Sequence, residues 1–374
     1  MWKSIFNDVD KLDLFCIFVN KANFWIMENQ FGSRLSGARR MAGLSLQQLA
    51  DQLENVVTKQ SLNKYEQAVM KPDSELLIKI ANTLGVTVDY FFREHSVELV
   101  GVEFRKKSKL TKTLENSVKE RTIDFLERYF ELENILDLPN DFVNPLKDNT
   151  ISNAQDIEDK TLELRIAWEL GLNPISNVIE MLEDNNIKVF EIDADESFDG
   201  LSAHVDGKPI IVINNTFDLV RQRFTALHEL GHLLLEFDPS FDKKMIERYC
   251  HAFAGAFLIP KKRFIEEFTR QRSHISLEEL KHIKSYYGIS MQATMARARN
   301  LNVISDLIYK NFSINFSMMG YRKKEPGEYT GVEDSMRFKQ LLYRAAAEEI
   351  ISLSKAASLN NQNLSQFRKS FVIV

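Results

Sequence analysis

The sequence predicts a multidomain chain: an all-α N-terminal domain, an α+β domain built on a small sheet, and a helical C-terminal region. Three observations carry that expectation. Residues 31–94 read as short helices separated by capping and turn signals. Between about 187 and 214 the period switches to two, with "NIKVFEID", "GLSAHVDG" and "KPIIVIN" as strands. From about 217 to 304 helical spacing returns, and a final helix pair is expected around 335–369.

The N-terminal helices can be justified one by one. In "SRLSGARRMAGL", Leu35, Ala38, Ala42 and Leu44 fall at helical spacing and Gly43 supplies a stop. "SLQQLADQL" opens at Ser45, a good N-cap, with Gln48 placed as its capping-box partner. Thr58 caps "TKQSLNKYEQAV", and Pro72 and Ser74 precede an apolar face of Leu76, Leu77, Ile80, Ala81 and Leu84. Beyond 95, "VELVGVEFRKKSKL" reads as a strand running into a basic stretch, and "TKTLENSVKERTIDFLERYFELENIL" as one long amphipathic helix. The Pro- and Asn-rich "LPNDFVNPLKDNTISN" reads as a linker, with helices following near 156–171 and 176–185. Asp206-Gly207 suits a hairpin turn between the last two strands. The tail holds a polar loop, "YRKKEPGEYTGVEDS".

Composition narrows the classes. At 374 residues, 44% hydrophobic and 27% charged, the chain can bury two or three cores. A net charge of −5 means that contact with nucleic acid requires a local patch. The basic run 104–112 reads more simply as a solvated face. Two cysteines, Cys16 and Cys250, imply no disulfide framework and fit a reducing cytoplasm. No apolar run approaches the ~18 residues of a membrane span. The first 26 residues, interrupted by aspartates, make a poor signal peptide and read as an upstream extension or a poorly ordered tail.

The chemistry concentrates in "RFTALHELGHLLLEF", 223–237. Side chains at i and i+4 share one helix face about 6 Å apart along the axis, so His228 and His232 can share one metal ion, as zinc prefers with imidazole. Glu229, about 100° around the helix, sits beside the metal, where it can take a proton from water and deliver it to a leaving amine. The bland alternative is a pair of core or capping histidines. A mid-helix glycine costs ~1 kcal/mol against alanine, so Gly231 argues that something approaches the backbone closely. Two histidines do not complete a site. Glu236 lies about 12 Å along the axis from His228, too far, so the third ligand should come from a separate element: Asp238, Asp242, Glu247, Cys250 or His251.

With "RFTALHELGHLLL" followed by "ERYCHAFAGAFLIP", the stretch 156–305 resembles the ImmA/IrrE zinc metallopeptidases. The resemblance implies a zincin-like α+β domain with a small mixed sheet, Zn2+ as cofactor, and Glu247 as third metal ligand with His228 and His232. It implies Glu229 as the catalytic group, and Phe253, Ala254, Leu258 and Pro260 as packing positions. Cys250 and His251 depart from its pattern, which has a small residue and an asparagine there; His251 is thus open to an outer-shell, transition-state or competing-ligand role. "KPIIVIN", with Ile211 and Ile213, would be positioned to pair with an extended substrate backbone. His204 reads as a surface residue.

The segment 31–92 resembles the Xre (Cro/C1-type) helix-turn-helix on "GLSLQQLADQL" and "TKQSLNKYEQAVMKPDSELLIKIANTLGV". In that resemblance Glu66 and Pro72 mark the exit from the recognition helix, and "ENVV" lengthens the turn. The recognition helix would present Thr58, Lys59, Gln60, Ser61, Asn63 and Lys64 to an operator in double-stranded DNA: lysines for phosphates, and Gln60, Ser61 and Asn63 for base edges. Dimerisation through the helices after 74 would fit paired half-sites.

The domains expected are an extension 1–26, a helix-turn-helix domain 27–94, a connecting strand, long helix and linker 95–150, a metallopeptidase domain 151–305 and a helical region 306–374. The function expected is a cytoplasmic DNA-binding regulator whose zinc endopeptidase domain cleaves a protein partner, such as a repressor, without a membrane. The other reading is an Xre-type transcription factor or antitoxin whose metal is structural or sensory.

Overall fold

The helices that begin at Leu46, Lys59, Ser74 and Lys112 each start where a short polar side chain accepts an otherwise orphaned backbone N–H. The computed structural model describes residues 30–93, 97, 111–139, 142–146, 150–269 and 271–372. The extension 1–26 and most of the strand and basic run read between 97 and 112 lie outside these. Helix α1 spans 30–41. Ser45 opens α2 (Leu46–Gln52) through a complete capping box with Gln48. Thr58 caps α3 (Lys59–Glu66) by accepting from the Ser61 N–H. Asp73 caps α4 (Ser74–Leu84). The α2–α3 turn reverses the chain through Glu54 and Asn55, both left-handed at φ 57° and 58°. Thr111 caps the long helix α5 (Lys112–Ile135).

The apolar periodicity becomes a core of Leu35, Ala38, Leu49, Ala50, Leu62 and Ile80, closed by Tyr90 and Phe91. Ala42 is exposed, and Met41 packs on that core instead. Arg39 forks onto Glu66 with bonds of 2.6 and 2.8 Å, tying the end of α1 to the end of α3. Arg34 is buried against Glu127 of α5 at 2.6 Å and also donates to the Arg93 carbonyl.

A second unit follows a different logic. Its elements are β1 (Thr150–Ile151), α6 (Ala154–Ala167), α7 (Val178–Asp184), β2 (Lys188–Ile192), β3 (Gly200–Val205) and β4 (Lys208–Asn214). Then come α8 (Leu219–Leu234), β5 (Glu236–Phe237), α9 (Lys243–Leu258), α10 (Lys261–Phe268), α11 (Leu277–Tyr287), α12 (Met291–Asn300) and α13 (Asp306–Met318). The sheet is mixed, in the order β2–β4–β3, with β2 parallel and β3 antiparallel to β4. Asp206 and Gly207 both have positive φ in the hairpin turn. The two-residue strands β1 and β5 pair in parallel as a separate two-stranded sheet, an element that periodicity did not announce.

The described residues form two units, one drawn from 1–98, 111–138 and 339–374, the other from 99–110 and 139–338. The stretch 306–374, expected as one region, is therefore divided. Phe316 of α13 joins the core of the second unit. The expected final pair is three helices, α14 (Arg337–Ala347), α15 (Leu353–Leu359) and α16 (Leu364–Ser370). From Lys339 on they belong with the N-terminal helices: Arg93 donates to the Ser358 carbonyl at 2.9 Å and Arg128 to that of Leu359 at 2.8 Å.

Both units rest on a constraint open to test. Glu127→Gln removes the carboxylate that meets the buried Arg34 charge and should cost the N-terminal unit about 3–5 kcal/mol. Glu54→Gln, at the exposed Lys79 pair, should leave the urea midpoint unchanged. In the second unit a Cβ on Gly231 would lie 3.2 Å from Phe253 Cδ1 and 3.4 Å from Cys250 Sγ. Gly231→Val should overpack that contact and cost about 1–3 kcal/mol in thermal unfolding.

Candidate metal centre

Helix α8 is held by its leucines. Asp218 caps it, and Leu227, Leu230 and Leu234 enter the core of the second unit. The remaining stripe carries His228, Glu229 and His232. The His228 and His232 rings stand 5.3 Å apart, as a single helical turn requires. Asp242 caps α9, whose second turn presents Glu247 to that stripe. The Glu247 carboxylate lies 3.6 Å from His228 Nε2 through one oxygen and 4.0 Å from His232 Nε2 through the other. Donors about 2.0–2.1 Å from a tetrahedral zinc stand ~3.3 Å from one another, so the spacing suits a shared cation. His232 Nε2 is buried and has no hydrogen-bond partner among the described residues. A buried acceptor left so is costly, and a cation would satisfy it. Two imidazoles and a carboxylate fit zinc by chemistry as well as by spacing.

The approach of α9 to α8 explains Gly231. Phe253 and Cys250 pack directly on its α-carbon, so the glycine makes room for the neighbouring helix. Cys250 is fully buried there, against Gly231. Of the other residues weighed as third ligand, Asp242 is the cap of α9 and Asp238 accepts from the Ser240 N–H. Glu236 sits exposed on β5, past the end of α8.

Glu229 is almost fully buried and accepts a 2.7 Å hydrogen bond from Ser202 Oγ on β3. Gly200, two residues earlier on the same face, has no room for a side chain: a Cβ would fall 2.7 Å from Thr225 Cγ2 and 2.8 Å from the Val212 carbonyl oxygen. Sequence reasoning missed both residues. Its nearest signal, the strand "GLSAHV", drew notice only for His204, which is exposed.

The expectation that 209–214 pairs with a substrate strand is corrected. β4 is the central strand, with β2 on one edge and β3 on the other, and Ile211 and Ile213 are 0% exposed. Their backbone bonds are already taken, so the edge of the sheet nearest the site is β3. His251 lies on α9 one turn after Glu247, its ring 4.1 Å from that of His228. It also lines a cavity of about 270 Å³ together with Phe224, Ala252 and Arg248.

In the N-terminal unit, Thr58, Lys59, Gln60 and Lys64 are exposed, while Ser61 and Asn63 are half-buried. Thr58 and Ser61 are 3.1 Å apart through their hydroxyls, engaged in capping α3.

Comparison with known proteins agrees with this division. Residues 37–91 match the family model described as helix-turn-helix, and residues 182–299 the one described as the IrrE N-terminal-like domain, a peptidase family. Among relatives, a SPbeta prophage-derived uncharacterized HTH-type transcriptional regulator, YonR of Bacillus subtilis, is 40% identical over 63 residues, 17% of this chain and 56% of that protein. An uncharacterized HTH-type transcriptional regulator of Rickettsia conorii is 38% identical over 66 residues, 18% of this chain and 51% of the relative. The chain thus spans about half the length of the curated relatives it matches. Helical overall and with small sheets, it joins a helix-turn-helix domain of the Xre type to a C-terminal domain of the IrrE-like peptidase family.

Proposed function

We propose that this protein is a DNA-binding transcriptional regulator whose peptidase domain is a zinc-dependent endopeptidase acting on a protein partner, such as a repressor. The observation that carries the reading is the Glu247 carboxylate lying within 4.0 Å of both His228 and His232, with Glu229 beside them. His228, His232 and Glu247 would hold the cation. Zinc, when bound, supplies Lewis acidity that polarises a scissile carbonyl and acidifies water. Glu229 takes the proton of the attacking water and passes it to the leaving amine. Ser202 holds the Glu229 carboxylate in one orientation, so the proton is received at a fixed place. Burial of Glu229 keeps bulk water from competing for that proton.

Exposed Lys59 and Lys64 on α3 suit phosphates, and exposed Gln60 can read a base edge. Thr58 and Ser61 serve α3 by capping it and contribute less to readout; Asn63 can reach DNA only from its half-exposed side. Ile78, Val88 and Phe92 are exposed apolar residues after 74, where pairing of two copies on DNA half-sites would draw on them.

Glu229→Gln should retain zinc and lose cleavage by about 10²–10⁴-fold. The measurement is the set of new protein amino termini formed in native-cell lysate by wild-type and variant protein; equal sets refute the peptidase. Wild type that holds zinc, binds DNA and forms none would favour a structural or sensory metal. On duplexes selected from a random pool, Lys59→Ala should weaken all sequences alike and lower the salt slope by about 1. Gln60→Ala should instead relax preference at one base pair, at a cost of about 1–3 kcal/mol.

A further inference from the structure

His251 stands where the family resemblance expects an asparagine, and its surroundings give the substitution a chemical meaning. One ligand atom each of His228, Glu247 and His251 lie within 4.8 Å of one another. That group does not include His232, so drawing all four onto one ion takes a turn of the exposed His251 side chain. Glu247 and His251 are one turn apart on α9, so both project toward α8 from the same face. The ring nitrogen Nδ1 of His251 is 2.7 Å from the Glu247 backbone carbonyl oxygen. A carbonyl only accepts, so Nδ1 carries the proton and Nε2 keeps a lone pair. Metal-bound imidazoles show that same arrangement: one nitrogen donates to a carbonyl or carboxylate, and the other ligates.

We infer that His251 is a fourth protein ligand to the cation held by His228, His232 and Glu247. The inference rests on the metal reading given above and adds a property to it. Four protein donors fill a tetrahedral shell and describe a closed site, whereas a catalytic one leaves a position for water. His251 is the exposed member of the set, so rotation about its own side-chain bonds can release it while the buried His228 stays in place. With His251 bound the site would be closed, and with His251 turned away it would keep a position for water.

The test uses the full chain loaded with zinc, and separately with cobalt(II), in the wild type and in His251→Asn and His251→Gln. X-ray absorption should count three imidazoles in the wild type and two in either variant. Competition with a chelating dye should show zinc affinity reduced about tenfold or more, and the visible cobalt band should change. Circular dichroism checks that both variants are folded. Two imidazoles in the wild type, with variants matching it in affinity and cobalt spectrum, overturn the inference and leave the three-ligand site standing. A wild type that binds neither cation removes the metal reading and this inference together.

Discussion

The distance between α8 and α9 is set where Gly231 meets Cys250 and Phe253, and the candidate centre inherits its dimensions from that contact. His228 and His232 belong to one helix and Glu247 to the other. Their relative placement therefore cannot be better defined than the packing of the two helices. Protein interiors deform little at such contacts because side chains are packed to near-crystal density. Helix α8 is also anchored ahead of its histidines. Arg223 is fully buried in an ion pair with Glu333, donates to the Ile175 carbonyl, and meets Tyr329 Oη at 2.8 Å. Glu333 in turn accepts from the Val178 and Ile179 N–H groups at the start of α7. One end of the helix is thus fixed by charge and the other by close packing, and the polar stripe lies between them.

The sheet supplies the remaining coordinate. Gly200 lets β3 lie against α8, and that proximity brings Ser202 within hydrogen-bond reach of Glu229. A larger residue at 200 would push the strand outward and break the bond without touching any charged group. Burial is graded across the site: the His228 side chain is 9% exposed, that of His232 20% and that of Glu247 43%. The constellation is deepest on α8 and opens toward α9.

What could be read from the sequence was local. Ser45 with Gln48, Thr58 before α3, and Asp206-Gly207 each declare a structure completed within four residues, and each forms. The spacing of His228 and His232 is equally local, since one turn of helix relates them. The failures share the opposite property. Pairing of β1 with β5 joins residues 150 and 236 over only two positions, too few for any period to register. "KPIIVIN" carries a nearly unbroken apolar run, which is what a strand covered on both sides looks like, and not the open edge that pairing with a substrate needs. The Ser202–Glu229 bond depends on β3 docking on α8, and a serine in a strand has no pattern that foretells it.

The division of the chain was hidden for the same reason, and it bears on how the two activities proposed here could cooperate. The helices after Lys339 pack with α5 and the N-terminal helices, through Arg93, Arg128 and the carbonyls of Ser358 and Leu359. In sequence, the stretch 139–338 that holds His228 thus interrupts the helical unit. Carrying both activities on one chain raises the effective concentration of one near the other. On the proposed function, a repressor at the same operator would meet the peptidase at the local concentration that joining both activities in one chain sets. An affinity too weak for free encounter would then suffice for cleavage, and selectivity could come from address on DNA as well as from the substrate's own sequence.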